Sequence, residues 1–120
     1  MFELDTCCTI VPYFEVQEGK LDAFKALVPK FVEKTRTEPG CMHYAFSFCG
    51  NTAHCREGYV SAEALLAHLD NAGELLGEAL KIAKLVRLEV HAPISDIEKL
   101  RIPMSPLSPQ FFALEKGIRR

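Results

Sequence analysis

The chain lacks most of the features that announce a function. It has no Cys-x-x-Cys pair among its five cysteines, and no tryptophan. It has no G-x-G-x-x-G turn or P-loop, which removes the usual nucleotide and flavin fingerprints. No apolar run approaches the length that crosses a bilayer, so no membrane partner is expected. Met1-Phe2-Glu3-Leu4-Asp5 lacks the basic leader, apolar stretch and cleavage site of a secretory signal, and a cytoplasmic location is expected. Basic residues cluster only at Arg119-Arg120. A formal charge of -2 and a pI near 6.1 offer nucleic acid no footing. An odd cysteine count without a signal points to reduced thiols rather than a disulfide framework.

What is present is a core. With 120 residues and 48% hydrophobic content, the chain reads as one domain over 1–120. Residues 6–92 or so form the body and 93–120 a C-terminal extension. Thr6 to Val16 is β-branched and aromatic and predicts a strand, with Cys8, Ile10, Phe14 and Val16 on one face and Cys7, Thr9, Val11 and Tyr13 on the other. Leu21, Phe24, Val28, Phe31 and Val32 recur at helical spacing between Lys20 and Glu38, with a kink or break expected at Pro29. Glu38-Pro39-Gly40 ends that helix. Cys41 to Cys49 and Ala53 to Val60 predict a hairpin across Gly50-Asn51-Thr52, with Met42, Tyr44, Phe46 and Phe48 sharing one face. Ser61 suits a helix N-cap, followed by helices over 62–69 and 74–83. Leu85 to His91 predicts a fourth strand, in which Val86, Leu88 and Val90 alternate with Arg87, Glu89 and His91. A short helix over 94–100, a connector spaced by Pro103, Pro106 and Pro109, and a last strand over 111–115 complete the chain.

The order strand, helix, strand, strand, helix, strand predicts an α+β, ferredoxin-like split β-α-β fold with an antiparallel sheet. Two helices cover one sheet face only. The other face carries Cys7, Thr9, Val11, Tyr13, Ala45, Ser47 and Cys49, too apolar to stand in water, so a homodimer with sheets face to face is expected. Arg56-Glu57-Gly58-Tyr59-Val60-Ser61 then runs from strand into the helix that carries His68. Three groups able to hold or move protons, Glu57, Tyr59 and His68, meet at that corner.

Two stretches resemble a known family. Glu38-Pro39-Gly40-Cys41 with Tyr44, and Arg56 to Ala64 with His68, are similar to the junctions of antibiotic biosynthesis monooxygenase domains, over roughly Thr6 to His91. The resemblance implies a dimeric α/β-barrel with a small apolar cavity in each subunit. It also implies relatives among cofactor-free oxygenases of aromatic compounds, haem-degrading enzymes and isomerases. The haem-degrading members resemble one another in a pocket tryptophan and a late helical histidine. This chain has no tryptophan, and Gly73 to Lys84 holds no histidine.

The expected function is a cofactor-independent monooxygenase acting on a small apolar or aromatic, quinol-like molecule. His68, on the inner helix face, is the candidate proton acceptor. Glu57 is a candidate catalytic group or a buried carboxylate paired with Arg87. Arg87 is also a candidate for stabilising an anion. Tyr13, Tyr44 and Tyr59 offer aromatic walls, or are packed in the core. His91 lines a pocket or faces solvent. Cys41, His43, Cys49, His54 and Cys55 match no zinc spacing, and no metal or cofactor is expected. The alternatives are an isomerase and a non-catalytic binding or structural homodimer. Redox sensing through Cys7 or Cys8 rests on thiol count alone.

Overall fold

The computed structural model describes residues 3–120; Met1 and Phe2 lie outside the described residues. Strand β1 (Glu3–Leu4) precedes β2 (Cys8–Val16), α1 (Leu21–Arg36), β3 (Cys41–Cys49), β4 (Thr52–Tyr59), α2 (Ala62–Asn71), α3 (Gly73–Ala79) and β5 (Ala83–Ala92). Then follow α4 (Ile94–Leu100), a 3-10 turn (Ser105–Leu107), β6 (Gln110–Ala113) and β7 (Ile118–Arg119). The main sheet has the order β3-β4-β2-β5-β6. Its first four strands are antiparallel in the ferredoxin-like arrangement that the element order predicts. The predicted last strand is present as β6, but it adds to β5 in parallel, so the sheet is mixed. β1 and β7 form a separate two-stranded ribbon.

Period-two alternation places Cys8, Ile10, Phe14 and Val16 inward, as the pattern predicts. Two apolar clusters grow from that row. Cys8 and Ile10 pack with Leu65, Leu88, Val90, Ile97, Leu100 and Met104, while Phe14 and Val16 pack with Phe24, Phe31, Ala53 and Ala79. Pro12 sits in a central strand, where a residue without an N–H weakens the ladder. The β2–β4 pairing accordingly skips from Ile10–Glu57 to Tyr13–His54.

Local irregularities correct three expectations. The first helix runs unbroken through Pro29. That proline is on the solvent side, so the carbonyl it leaves unbonded faces water, while Phe24 and Phe31 anchor the helix on either side. Met42 does not join Tyr44, Phe46 and Phe48 inside. A register shift between Cys41 and His43 turns it out, and Cys41 packs against the core instead. A second shift, opposite Tyr13 and Phe14, expels Val86 and brings Leu85 under the helices.

Ser61 caps α2 as its residue type suggests, its Oγ accepting from Ala64 N–H at 3.1 Å. The extension is not a loose tail. α4 buries Ile97 and Leu100, the next turn buries Met104, and Asp96 accepts the Ala62 N–H at 3.1 Å at the start of α2.

Candidate active site

Glu57 stands on β4, paired across the sheet with Ile10 on one side and Tyr44 on the other. Its side chain therefore rises from the middle of the sheet toward the helices. Tyr59, two residues on and on the same face, donates its hydroxyl to Glu57 Oε1 at 2.6 Å. His68, one turn before the end of α2, brings Nε2 to 3.3 Å from that same oxygen. Glu57 is 5% exposed and His68 4%.

The other side of the imidazole is held by a residue the sequence offered as a helix stop and part of a junction, not as a site residue. Glu38 leaves α1 at the Glu-Pro-Gly turn, and both its carboxylate oxygens lie 3.0 Å from His68 Nδ1. Asn71 donates to Glu38 Oε2 at 2.8 Å and to the Lys34 carbonyl at 3.0 Å, fixing that carboxylate against the ends of two helices. A carboxylate can only accept, so this geometry puts the ring proton on Nδ1 and leaves the Nε2 lone pair facing Glu57.

Burial sets the proton affinities. It pushes Glu57 up to about 7, with the bonds from Tyr59 and Cys55 pulling back only in part. Burial also holds His68 below its ordinary value, against the opposing pull of Glu38. The Tyr59, Tyr44 and Cys55 acids are all raised by burial first and by the neighbouring carboxylate second or third. The result is a carboxyl group poised to gain or lose a proton near neutrality, beside a neutral imidazole with a free lone pair. Such a pair can take a proton from a bound molecule and return it.

Glu57 and His68 open onto a narrow cavity of about 50 Å³ between sheet and helices. A single water needs roughly 10–15 Å³ on this measure, so the space suits a few waters or one slender group. Its polar lining lies on the side of β3, β4 and α2, where Tyr44, Cys55, Glu57 and His68 sit. From there across the sheet it is lined by Ile10, Pro12, Leu85, Leu88 and finally Leu107.

The structure brings together His68, Glu57, Tyr59 and Tyr44. The Tyr44 and Tyr59 rings lie 5.2 and 5.1 Å from the His68 ring. It separates the rest. Arg87 is not the partner of Glu57: it lies on the opposite sheet face, bonded to Glu89 and, at 3.3 Å, to Gln110. His91 is on that face too, 3.0 Å from Glu89 and stacked on Phe112 at 4.7 Å. Tyr13 packs there on His54, with ring centroids 4.6 Å apart. The reason is parity: over this part of β5 the buried residues are Leu88, Val90 and Ala92, so Arg87, Glu89 and His91 must point away. All five cysteines are free thiols, and Cys55 is the one that lines the cavity. Among the described residues, no three His, Cys, Asp or Glu side chains are grouped to hold a metal ion.

Glu38, Asn71 and Leu107 were missed as site residues. For Glu38 a signal existed: a carboxylate fixed beside proline at a helix end, within the junction already singled out. Nothing in the sequence pointed to Asn71 or Leu107.

Comparison with known proteins agrees with the fold and its junctions. The family model for antibiotic biosynthesis monooxygenase matches residues 8–73. MupZ from Pseudomonas fluorescens is 48% identical, with a TM-score of 0.93, over 98% of this chain and 92% of that one. Rv0793 from Mycobacterium tuberculosis is 23% identical with a TM-score of 0.65, over 73% of this chain and 95% of that one. SO0527 from Shewanella oneidensis is 20% identical with a TM-score of 0.62, over 75% of this chain and 92% of that one. These last two share the fold. No curated protein matches. With the two junctions inside the matched span and a 48% identical structure covering nearly all of it, the chain belongs to the antibiotic biosynthesis monooxygenase family.

Proposed function

We propose that this chain is a cofactor-independent monooxygenase acting on a small phenol, with Glu57 and His68 as the proton-transfer pair. The observation that carries this is a carboxyl group raised to about 7, bonded to Tyr59 and facing a neutral imidazole, in an otherwise apolar cavity. In this reading Glu57, facing the Nε2 lone pair of His68, takes the hydroxyl proton, and Tyr59 holds the carboxyl in register. The phenolate then carries electron density to its free para carbon, which reacts with molecular oxygen. Loss of the para hydrogen with cleavage of the O–O bond releases water and leaves a quinone. One phenol and one O₂ give one quinone and one water, and the substrate supplies all the electrons. The narrow cavity favours a single ring over a fused polycycle. Glu38 and Asn71 are positioning residues that fix the tautomer of His68.

The same pair could move a proton within one molecule without oxygen, as an isomerase does. A binding or structural dimer would need neither step. A second copy of the chain on the open face is part of this proposal. That face presents the half-buried, tilted Tyr13–His54 pair and the stack of His91 on the exposed Phe112, and sedimentation of the free chain tests it.

Oxygen uptake with simple phenols and hydroquinones, in the wild type and Glu57→Gln, tests the function. Uptake that requires Glu57 supports the oxygenase. Turnover that persists without oxygen supports the isomerase. Binding that is indifferent to Glu57, with no turnover of any phenol, sinks both.

A further inference from the structure

The cavity has its polar groups on one side, and one of its walls comes from the C-terminal extension, at Leu107. Its polar groups stand on β3, β4 and α2, and every lining residue on β2 and β5 is apolar. From β4 to β5 is two strand spacings, roughly 10 Å. Leu107, the last residue of the 3-10 turn that leads into β6 beside β5, lines the cavity and packs against the cluster of Ile10, Leu88, Leu100 and Met104.

Leu107 is held as a wall. Met104, fully buried, anchors the chain before it, and β6 on the edge of β5 anchors it after. Pro103, Pro106 and Pro109 restrict the backbone between. Ser108 adopts φ 50°, a left-handed geometry that reverses the chain immediately after Leu107. The residue is half-buried, with one side toward the cavity and the other toward solvent. Its position lies outside the span matched by the family model, in the C-terminal extension.

We propose that the substrate carries a slender apolar chain that runs from the Glu57–His68 end across β2 and β5, and that Leu107 sets the longest chain accepted. This rests on the phenol reading above and narrows it to phenols with an unbranched alkyl substituent that leaves the para carbon free.

The test is calorimetric titration with 3-alkylphenols from methyl to hexyl. Affinity for the wild type should rise about fourfold per added methylene, the factor that corresponds to about 0.8 kcal/mol of burial, and then fall at a cut-off length. Leu107→Ala should move the cut-off to a longer chain, and Leu107→Phe to a shorter one. Ile102→Ala, at an exposed neighbour on the same extension, should leave it in place. A cut-off that stays put in both Leu107 variants overturns the proposal, as does an affinity indifferent to chain length or no binding by any member of the series. Glu57→Gln separates this from the catalytic reading. If it keeps the wild-type cut-off and loses oxygen uptake, both stand. If it turns over as fast as the wild type while the Leu107 variants still shift the cut-off, the chain-length wall stands and the proposed chemistry falls.

Discussion

The same two residue types meet on each face of the sheet, with opposite results. Under the helices, Glu57 and His68 lie 3.3 Å apart, and burial raises the carboxyl to about 7. On the open face, Glu89 and His91 lie 3.0 Å apart, and the carboxyl is held below its ordinary value, first by His91 and then by Arg87. Separation does not explain the difference; depth of burial and the third partner do. Glu89 is half-buried but has an imidazole and a guanidinium bonded to it, so its charge is welcome. Glu57 has a phenol, a thiol and a neutral ring for company, and its charge is resisted. One sheet thus carries a lowered carboxylate in an ion cluster on one face and a raised carboxyl on the other.

The largest test of this contrast is catalytic. Glu57→Gln should lower turnover on any substrate found by about 10²- to 10⁴-fold, the usual contribution of a placed acid-base group. Glu89→Gln should leave turnover intact. Steady-state kinetics of both variants decide it, and equal losses would dissolve the distinction between the faces.

Next comes the pH dependence of stability. A carboxyl raised from 4.5 to about 7 binds its proton more tightly in the folded chain. Its contribution is fully present below pH 4.5 and is lost as pH rises through 7, amounting to about 3 kcal/mol at 1.36 kcal/mol per unit. His68, lowered by burial, acts the other way: its contribution is lost as pH falls below its ordinary value of 6.5. Urea unfolding from pH 4.5 to 8 should therefore show Glu57→Gln gaining on the wild type as pH rises. His68→Gln should gain as pH falls, and Glu89→Gln should track the wild type throughout. A Glu57→Gln difference that is flat with pH would contradict the raised carboxyl.

Two glycines give a smaller, purely steric version of the comparison. A Cβ on Gly40, beside the Glu38 turn, would sit 2.5 Å from the Ala64 Cβ on α2. A Cβ on Gly58 would strike the ring of His43 on the open face, where that side chain is exposed and can swing aside. Gly40→Ala should cost about 1–3 kcal/mol, as overpacking between fixed elements does, and Gly58→Ala should cost less. Equal losses in denaturant midpoint would show that the two faces are packed alike. The smallest effect is expected from the exposed Lys99–Glu63 pair at 2.9 Å, whose removal should leave the midpoint nearly unchanged.

How far the sequence spoke follows the same division. Alternation on β2 and helical spacing on α1 marked the inner face, because each pattern is a direct record of burial. The Glu57–Tyr59–His68 corner was legible for a local reason: a strand parity and a helix turn bring three nearby residues together. Arg87 was misplaced because pairing it with Glu57 required knowing the phase of β5, and the bulge at Val86 hides that phase. Glu38 reaches His68 across thirty residues, and Leu107 reaches the cavity through a turn beyond the last regular helix. Neither distance leaves a periodic trace in composition.

The bond from Ala62 N–H to Asp96 has a consequence in time rather than in space. The helix that carries His68 starts at residue 62, yet one of its end groups finds its acceptor 34 positions later in the chain. During synthesis the ribosome must release α3, β5 and the start of α4 before that end is tied. The helix that carries His68 is made in the middle of the chain and fastened near its finish, so a nascent chain stalled before Asp96 would hold both Glu57 and His68 with the helix end between them still open.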